Sequence, residues 1–281
     1  MTYRDIVSRL GAAHIENAAG EAVLLIELFA HLSESYLRTS PDAPIPDPDG
    51  ALERAVCRRE AREPLQYILG CWSFWRQEYE VSPDCLVPRP DTECLVEQAL
   101  KRLPHGGRFL DLCTGSGCIA ISLCCERPDA MGVAVELSPE TLMLAKRNAV
   151  KNGVGEERLR LLAGDVLHPA FLAALGSFDL IISNPPYIPT RDLVTLPIET
   201  RQEPRIALDG GEDGLLFYRR LLAHDYREAL KVGGCFLFEI GYDQGDALRA
   251  LAKDIGAECT ILTDYGGNER VAVVGERAPR A

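Results

Sequence analysis

Phe109-Leu-Asp-Leu-Cys-Thr-Gly-Ser-Gly117 is the stretch on which the fold turns. Its first four residues read as a short buried strand, and a helical pattern follows over 118–127. Between them, Gly115 and Gly117 let the chain reverse tightly and bring backbone N–H groups close to whatever lies above the helix start. A dinucleotide-binding turn would show G-x-G-x-x-G, whereas position 113 here is Cys. Working outward, strand-like runs recur at 131–135, 159–162, 178–183, 236–240 and 271–274. Helical patterns lie between them at 139–152, 214–230 and 244–255. This alternation implies an α/β fold, a mostly parallel sheet covered by helices on both faces. In such sheets ligands sit at the carboxyl ends of the strands.

A chain of 281 residues implies about two domains and a core large enough to need no disulfide or metal staple. With 47% hydrophobic and 26% charged residues, the composition is that of an ordinary globular protein. The longest apolar stretch, Ala22 to Ala30, is broken by Glu27 and is far short of the roughly 18 residues of a membrane span. The N-terminus carries no apolar leader followed by a small-residue cleavage site. The ten cysteines include no CxxC pair, and the five histidines do not cluster with them, so no metal site is expected. Reduced thiols in a cytoplasm fit better. A formal charge of -12 repels polyanions, so direct binding of nucleic acid is disfavoured.

Residues 1 to about 65 read as short helices, with Ile6, Val7 and Leu10 on one face and Val23, Leu24, Leu28 and Leu32 on another. The proline-rich run from Pro41 to Pro48 separates helices, and Asp49 is the expected cap of a helix carrying Leu52, Ala55 and Val56. From Gln66 to Val87, aromatic and β-branched runs around a break, ending in Tyr79-Glu-Val81, read as a hairpin and mark a domain junction near 70–87.

Three strand ends carry acceptors. Asp111 leads into the glycine turn, Glu136 closes the second strand where a carboxylate can take both hydroxyls of a ribose, and Asp165 closes the third, suited to an adenine amino group. Asn184-Pro-Pro-Tyr187 follows the fourth strand, Phe178 to Ser183. An amide nitrogen is a poor nucleophile because resonance draws its lone pair into the C–N bond. Two acceptors, the Asn184 side-chain carbonyl and the Pro185 backbone carbonyl, would each take one N–H and bias that nitrogen toward tetrahedral geometry. Pro185 and Pro186 fix φ and add no N–H, and the face of Tyr187 can stack on a planar amide or base.

The strand-end acceptors with the glycine loop resemble the Rossmann-like methyltransferases that use S-adenosyl-L-methionine. By that resemblance Asp111, Cys113, Thr114, Gly115, Ser116, Gly117, Glu136, Asp165, Val166 and Asn184 would line the cofactor site. Asn184-Pro-Pro-Tyr187 is similar to the motif of enzymes that methylate planar amino groups, in adenine or in glutamine. Further segments, Glu63-Pro-Leu-Gln-Tyr-Ile-Leu-Gly70, Val87-Pro-Arg-Pro-Asp-Thr-Glu93, Glu203 to Gly214 and Glu239 to Gly245, resemble the HemK/PrmC family of release factor N5-glutamine methyltransferases.

The resemblance implies a helical substrate-binding domain over 1–70, then a β-hairpin linker and a class I methyltransferase domain with a seven-stranded sheet over 71–281. Both would touch a class I peptide chain release factor, whose Gly-Gly-Gln glutamine would enter at Asn184, Pro185, Pro186 and Tyr187. Arg89, Pro90, Thr92 and Glu93 would lie at the mouth of the site, although Thr92 or Asp91 could equally cap a helix. Gly210, Gly211 and Gly214 would shape a substrate-facing loop. Cys113 stands where relatives often carry glycine, which requires a negative φ there. Glu136 stands where Asp is frequent, and Val166 where an aromatic residue often covers adenine. Three other readings stay open on sequence: a ribosomal-protein glutamine, an adenine in nucleic acid, and cofactor binding without catalysis.

Overall fold

The computed structural model describes residues 1–275 and divides them into two compact units. One comprises Met1–Cys71 with Pro197–Gln202, the other Trp72–Leu196 with Glu203 onward. The short segment 197–202 therefore belongs with the helices, where sequence assigned all of 71–281 to the second domain.

The first unit contains α1 (Tyr3–Ala12), α2 (Ala18–Ala30), α3 (Glu34–Thr39), α4 (Ala51–Glu60) and α5 (Leu65–Leu69). Thr2 and Asp5 cap α1 reciprocally, side chain to backbone N–H in both directions. Ile6 and Leu10 are buried against Leu52, Ala55 and Val56 of the same core. In α2 the expected face is corrected: Ala22, Leu25 and Ile26 are buried, while Leu24 and Leu28 are exposed. That helix is apolar nearly all round, so periodicity did not single out a side, and the face carrying the small alanines packs inward. The N-terminus of α4 is held mainly by Asp47, which accepts from Leu52 N and Glu53 N. Asp49 accepts only from Ala51 N. Arg59, 5% exposed, is satisfied by Glu21 and Glu199, and Arg62 grips Glu199 with two further bonds. Residues 66–69, expected in the hairpin, form α5 instead, closed by Gly70 at φ 74°.

The second unit begins at Trp72, inside β1 (Cys71–Phe74), which forms a hairpin with β2 (Gln77–Glu80); α6 (Glu93–Arg102) follows. Then β3 (Arg108–Leu112), α7 (Cys118–Glu126), β4 (Met131–Glu136), α8 (Pro139–Lys151), β5 (Leu159–Ala163) and β6 (Phe178–Ser183) alternate. The chain closes with α9 (Leu216–Leu221), α10 (His224–Glu228), β7 (Leu230–Glu239), α11 (Gly245–Asp254), β8 (Glu258–Thr263) and β9 (Glu269–Gly275). The expected single helix over 214–230 is broken at Leu222–Ala223. Sequence also gave no sign of β8 or of the first half of β7, whose Gly233-Gly234 pair reads as a loop.

The sheet has seven strands in the order β5-β4-β3-β6-β7-β9-β8, parallel except where β9 runs against β7 and β8. Successive strands step outward from β3 to β5, and the chain then returns to add β6 on the other side of β3. The strand ends at that reversal form the crevice. Alternation along each strand feeds two cores. Phe109, Leu180 and Ile182 join α6 and α7 on one face, and Leu110, Leu112 and Ile181 join Tyr218, Tyr226 and α11 residues on the other. Asp111 alternates with Leu110 and Leu112 and so faces the α6–α7 layer.

Candidate active site

At the carboxyl ends of β3, β4, β5 and β6 lies a cleft enclosing about 1020 Å³ of atom-free space, its open mouth included. Cys113, Thr114 and Gly115 form its floor at the end of β3, with Gly115 at φ 58° and Gly117 at φ 82° opening α7. Cys113 has φ 60°, not the negative value its residue type requires, and so sits in the left-handed region that costs an L-residue roughly 1 kcal/mol. Neighbouring bonds hold it there: Thr114 N donates to Val135 O (3.1 Å), and Ser183 Oγ donates to Leu112 O (2.6 Å).

Glu136 is half-buried on the cleft wall with both oxygens fixed. Oε2 accepts from Gly115 N (2.9 Å), and Oε1 accepts from Leu137 N (2.9 Å) and Ser138 N (3.0 Å). Asp165 also lines the wall. Its Oδ1 accepts from Leu167 N, and its Oδ2 lies 2.8 Å from His168 Nδ1, a contact that lowers its pKa. Val135, Leu137, Val166 and Phe217 supply apolar surface between these carboxylates. Phe217 gives this cleft an aromatic wall residue that sequence reading missed, because its ring arrives from the start of α9, remote in the chain from Val166.

Three residues expected at the cofactor lie behind the turn. Asp111, Ser116 and Gly117 are not among the lining residues. Asp111 is fully buried and accepts from Thr114 Oγ1 (2.5 Å), while its Oδ1 has no hydrogen-bond partner. Burial pushes its pKa up to about 7.

The β6 side is built differently. Asn184 lines the cleft, and its Nδ2 donates to Thr92 Oγ1 (3.2 Å). Pro185 and Pro186 are buried, Pro186 on the cleft wall. Tyr187 is half-buried against the second core; its hydroxyl points at Glu239 Oε1 (3.4 Å), and its carbonyl accepts from Gln244 Nε2 (3.0 Å). Gly210 and Gly214 stand directly behind this turn rather than facing a substrate. A Cβ at 210 would lie 2.7 Å from Tyr187 Cα, and one at 214 would lie within van der Waals radii of the Tyr187 carbonyl oxygen. Glu239 is 2% exposed, and Oε2 has no partner; burial raises its pKa to about 7. Its segment was recognised in the sequence, but no pattern marked this carboxylate as the buried neighbour of Tyr187.

At the mouth, Arg89 lines the cleft and is ion-paired with the buried Glu203, which also accepts from Val87 N (3.0 Å). Burial raises the Glu203 pKa against the pull of Arg89. Thr92 also lines the cleft, but makes no capping bond to α6. Glu93 does not reach it: its Oε1 accepts from Trp75 N (2.7 Å), closing the hairpin turn where Trp75 has φ 56°. Pro90 lies outside the lining as well.

Strand order, glycine turn and the acceptors on successive strand ends define a Rossmann-like class I methyltransferase. Residues 2–70 match the family model of the PrmC N-terminal domain, and residues 90–198 match that of the methyltransferase small domain. The release factor glutamine methyltransferase of Geobacter sulfurreducens is 43% identical over 262 residues, covering 92% of this chain and 89% of its own length. That of Caulobacter vibrioides is 40% identical over 278 residues, covering 96% and 93%. A solved methyltransferase structure from Pyrococcus furiosus, 21% identical with a TM-score of 0.51 over 70% of this chain and 86% of its own, shares the fold. The chain belongs to the release factor glutamine methyltransferase family.

Proposed function

We propose that this protein methylates the side-chain amide nitrogen of glutamine in the Gly-Gly-Gln loop of class I peptide chain release factors, with S-adenosyl-L-methionine as donor, and so modulates translation termination. The observation that carries this is Asn184-Pro-Pro-Tyr187 at the end of β6, with Asn184 on the wall of a cleft whose opposite wall carries Glu136 and Asp165.

The cleft suits the donor chemically. The fixed carboxylate of Glu136 accepts the ribose hydroxyls, Asp165 accepts the adenine amino group, and Val166 with Phe217 bounds the base. Cys113, Thr114 and Gly115 border the methionine end, with Asp111, Ser116 and Gly117 shaping the turn from behind. When bound, S-adenosylmethionine supplies an electrophilic methyl group on a sulfonium.

Asn184 Oδ1 and the Pro185 carbonyl each accept one hydrogen of the glutamine amide. The nitrogen is thereby drawn out of the plane that resonance prefers, and its lone pair is freed. Both hydrogen bonds would strengthen as positive charge builds on that nitrogen, and the N-methylated amide, strongly acidic while it carries the extra proton, would release it to water, so no strong general base is required. Tyr187 anchors the turn through its ring packing and hydroxyl, and its ring would pack on the incoming amide. Arg89 stands at the mouth, held by Glu203, as a contact for release-factor backbone. The net charge of -12 disfavours nucleic acid as a direct partner. We place the reaction in the cytoplasm, where ten cysteines would stay reduced.

Asn184→Ala tests this reading. Cofactor affinity should stay within about twofold while turnover falls about 100-fold or more, the scale of losing one preorganised transition-state contact. Turnover close to that of the parent protein would contradict it.

A further inference from the structure

A primary amide can turn either its carbonyl or its NH2 group toward a substrate, and the two faces have nearly the same shape. Only the carbonyl accepts a hydrogen from glutamine, so something must choose between the two orientations of Asn184. Asn184 Nδ2 lies 3.2 Å from Thr92 Oγ1, the one side-chain hydrogen bond this amide makes among the described residues.

Thr92 is 2% exposed, so bulk water is a poor competitor for its hydroxyl. A hydroxyl has one proton to give and two lone pairs. Thr92 Oγ1 accepts one N–H of the Asn184 amide. Toward Asn184 the hydroxyl then offers a lone pair, which selects the NH2 side and leaves Oδ1 directed into the cleft. The backbone supports this arrangement: Thr92 closes the 3-10 turn that starts at Pro90, its N–H donating to Arg89 O (3.1 Å).

We propose that Thr92 is a positioning residue that, by accepting from the Asn184 NH2 group, fixes Asn184 with its carbonyl toward the substrate. This rests on the reading of Asn184 as the acceptor for the substrate amide.

The test compares Thr92→Val, which keeps the shape and removes the hydroxyl, with Thr92→Ser, which restores it. For Thr92→Val, kcat should fall about tenfold, equivalent to one neutral hydrogen bond, with cofactor affinity and release-factor KM within about twofold. Thr92→Ser should recover most of that loss. An unchanged kcat in Thr92→Val, or equal impairment in Thr92→Ser, overturns the proposal, since the latter would place the role in the methyl group.

A measurement on the parent protein keeps the proposal testable should Thr92→Val fold poorly. The Asn184 side-chain NH2 resonances should exchange slowly with water and show contacts to the Thr92 methyl. Fast exchange without those contacts refutes the assigned orientation. If Asn184→Ala itself keeps its turnover, the reading of the site fails; if Asn184→Ala is inactive and Thr92→Val is not, only the role of Thr92 fails.

Discussion

Glu136 and Asp165, at the ends of β4 and β5, are half-buried and hold partners on both oxygens, and the shift at Asp165 is downward. Glu239, across the sheet at the end of β7, is almost wholly buried, lacks a partner at Oε2, and has its pKa raised to about 7. The same side-chain chemistry is thus used in two ways along one sheet edge. On the β4–β5 side, acceptors are oriented before any ligand arrives. On the β6–β7 side, a carboxylate is shut in at a cost to stability, and its neighbours are Tyr187 and Thr92, which border the Asn184 turn. One side serves binding and the other holds geometry.

Glu136→Ala sharpens that contrast most. It removes an acceptor for a diol and loosens Gly115 N, so the cofactor dissociation constant should rise about 100-fold, with kcat at saturating cofactor falling much less. Calorimetric titration beside steady-state kinetics checks this. A loss confined to kcat would place Glu136 with the geometric side and break the comparison.

Glu239→Gln should have a moderate effect that depends on pH. The folded pKa lies above the unfolded value of about 4.3, so the stabilisation from Glu239 is complete below about pH 4 and is lost as pH rises through about 7. Glutamine, neutral throughout, escapes this loss. The unfolding free energy of the variant relative to the parent should therefore improve by up to about 3 kcal/mol between pH 5 and 8 in denaturant titrations. A difference that stays flat over that range would show that Glu239 is not protonated on burial.

Cys113→Gly is the smallest test. Glycine adopts φ 60° freely, so relief of strain should raise stability by up to about 1 kcal/mol, offset in part by the greater freedom of the unfolded chain. A clear loss of stability would mean that packing by the Cys113 side chain outweighs the strain of its backbone.

The binding side was the more legible in the sequence. Strands β3 to β6 are short apolar runs bounded by turn residues, as parallel strands covered on both faces must be, and each ends at, or one residue before, a residue that lines the cleft. The edge strand β8 was not legible, because Glu258 to Thr263 mixes exposed and half-buried positions and lacks a continuous apolar run. The split of α9 from α10 was hidden too, since Leu-Leu-Ala-His carries neither proline nor glycine. Local pattern also cannot report a non-glycine residue with φ above zero, which explains Cys113.

Glu93 was misplaced for a related reason: its neighbours in the chain face the cleft, and only the fold reveals that its carboxylate is taken by Trp75 N. Phe217 reaches the cleft from a distant segment and Glu239 lies behind it against the Tyr187 hydroxyl, and in both cases tertiary packing alone assigns the contact. Asp111 looked like a ligand because it precedes the glycine turn, but strand alternation sends it to the opposite layer.

The most direct test is mass spectrometry of a class I release factor incubated with the protein and S-adenosylmethionine. The expected result is one added methyl on the glutamine of the Gly-Gly-Gln peptide, absent when Asn184→Ala replaces the parent protein. No methyl on that glutamine while the cofactor is bound, or a methyl on a different residue, would contradict the assignment.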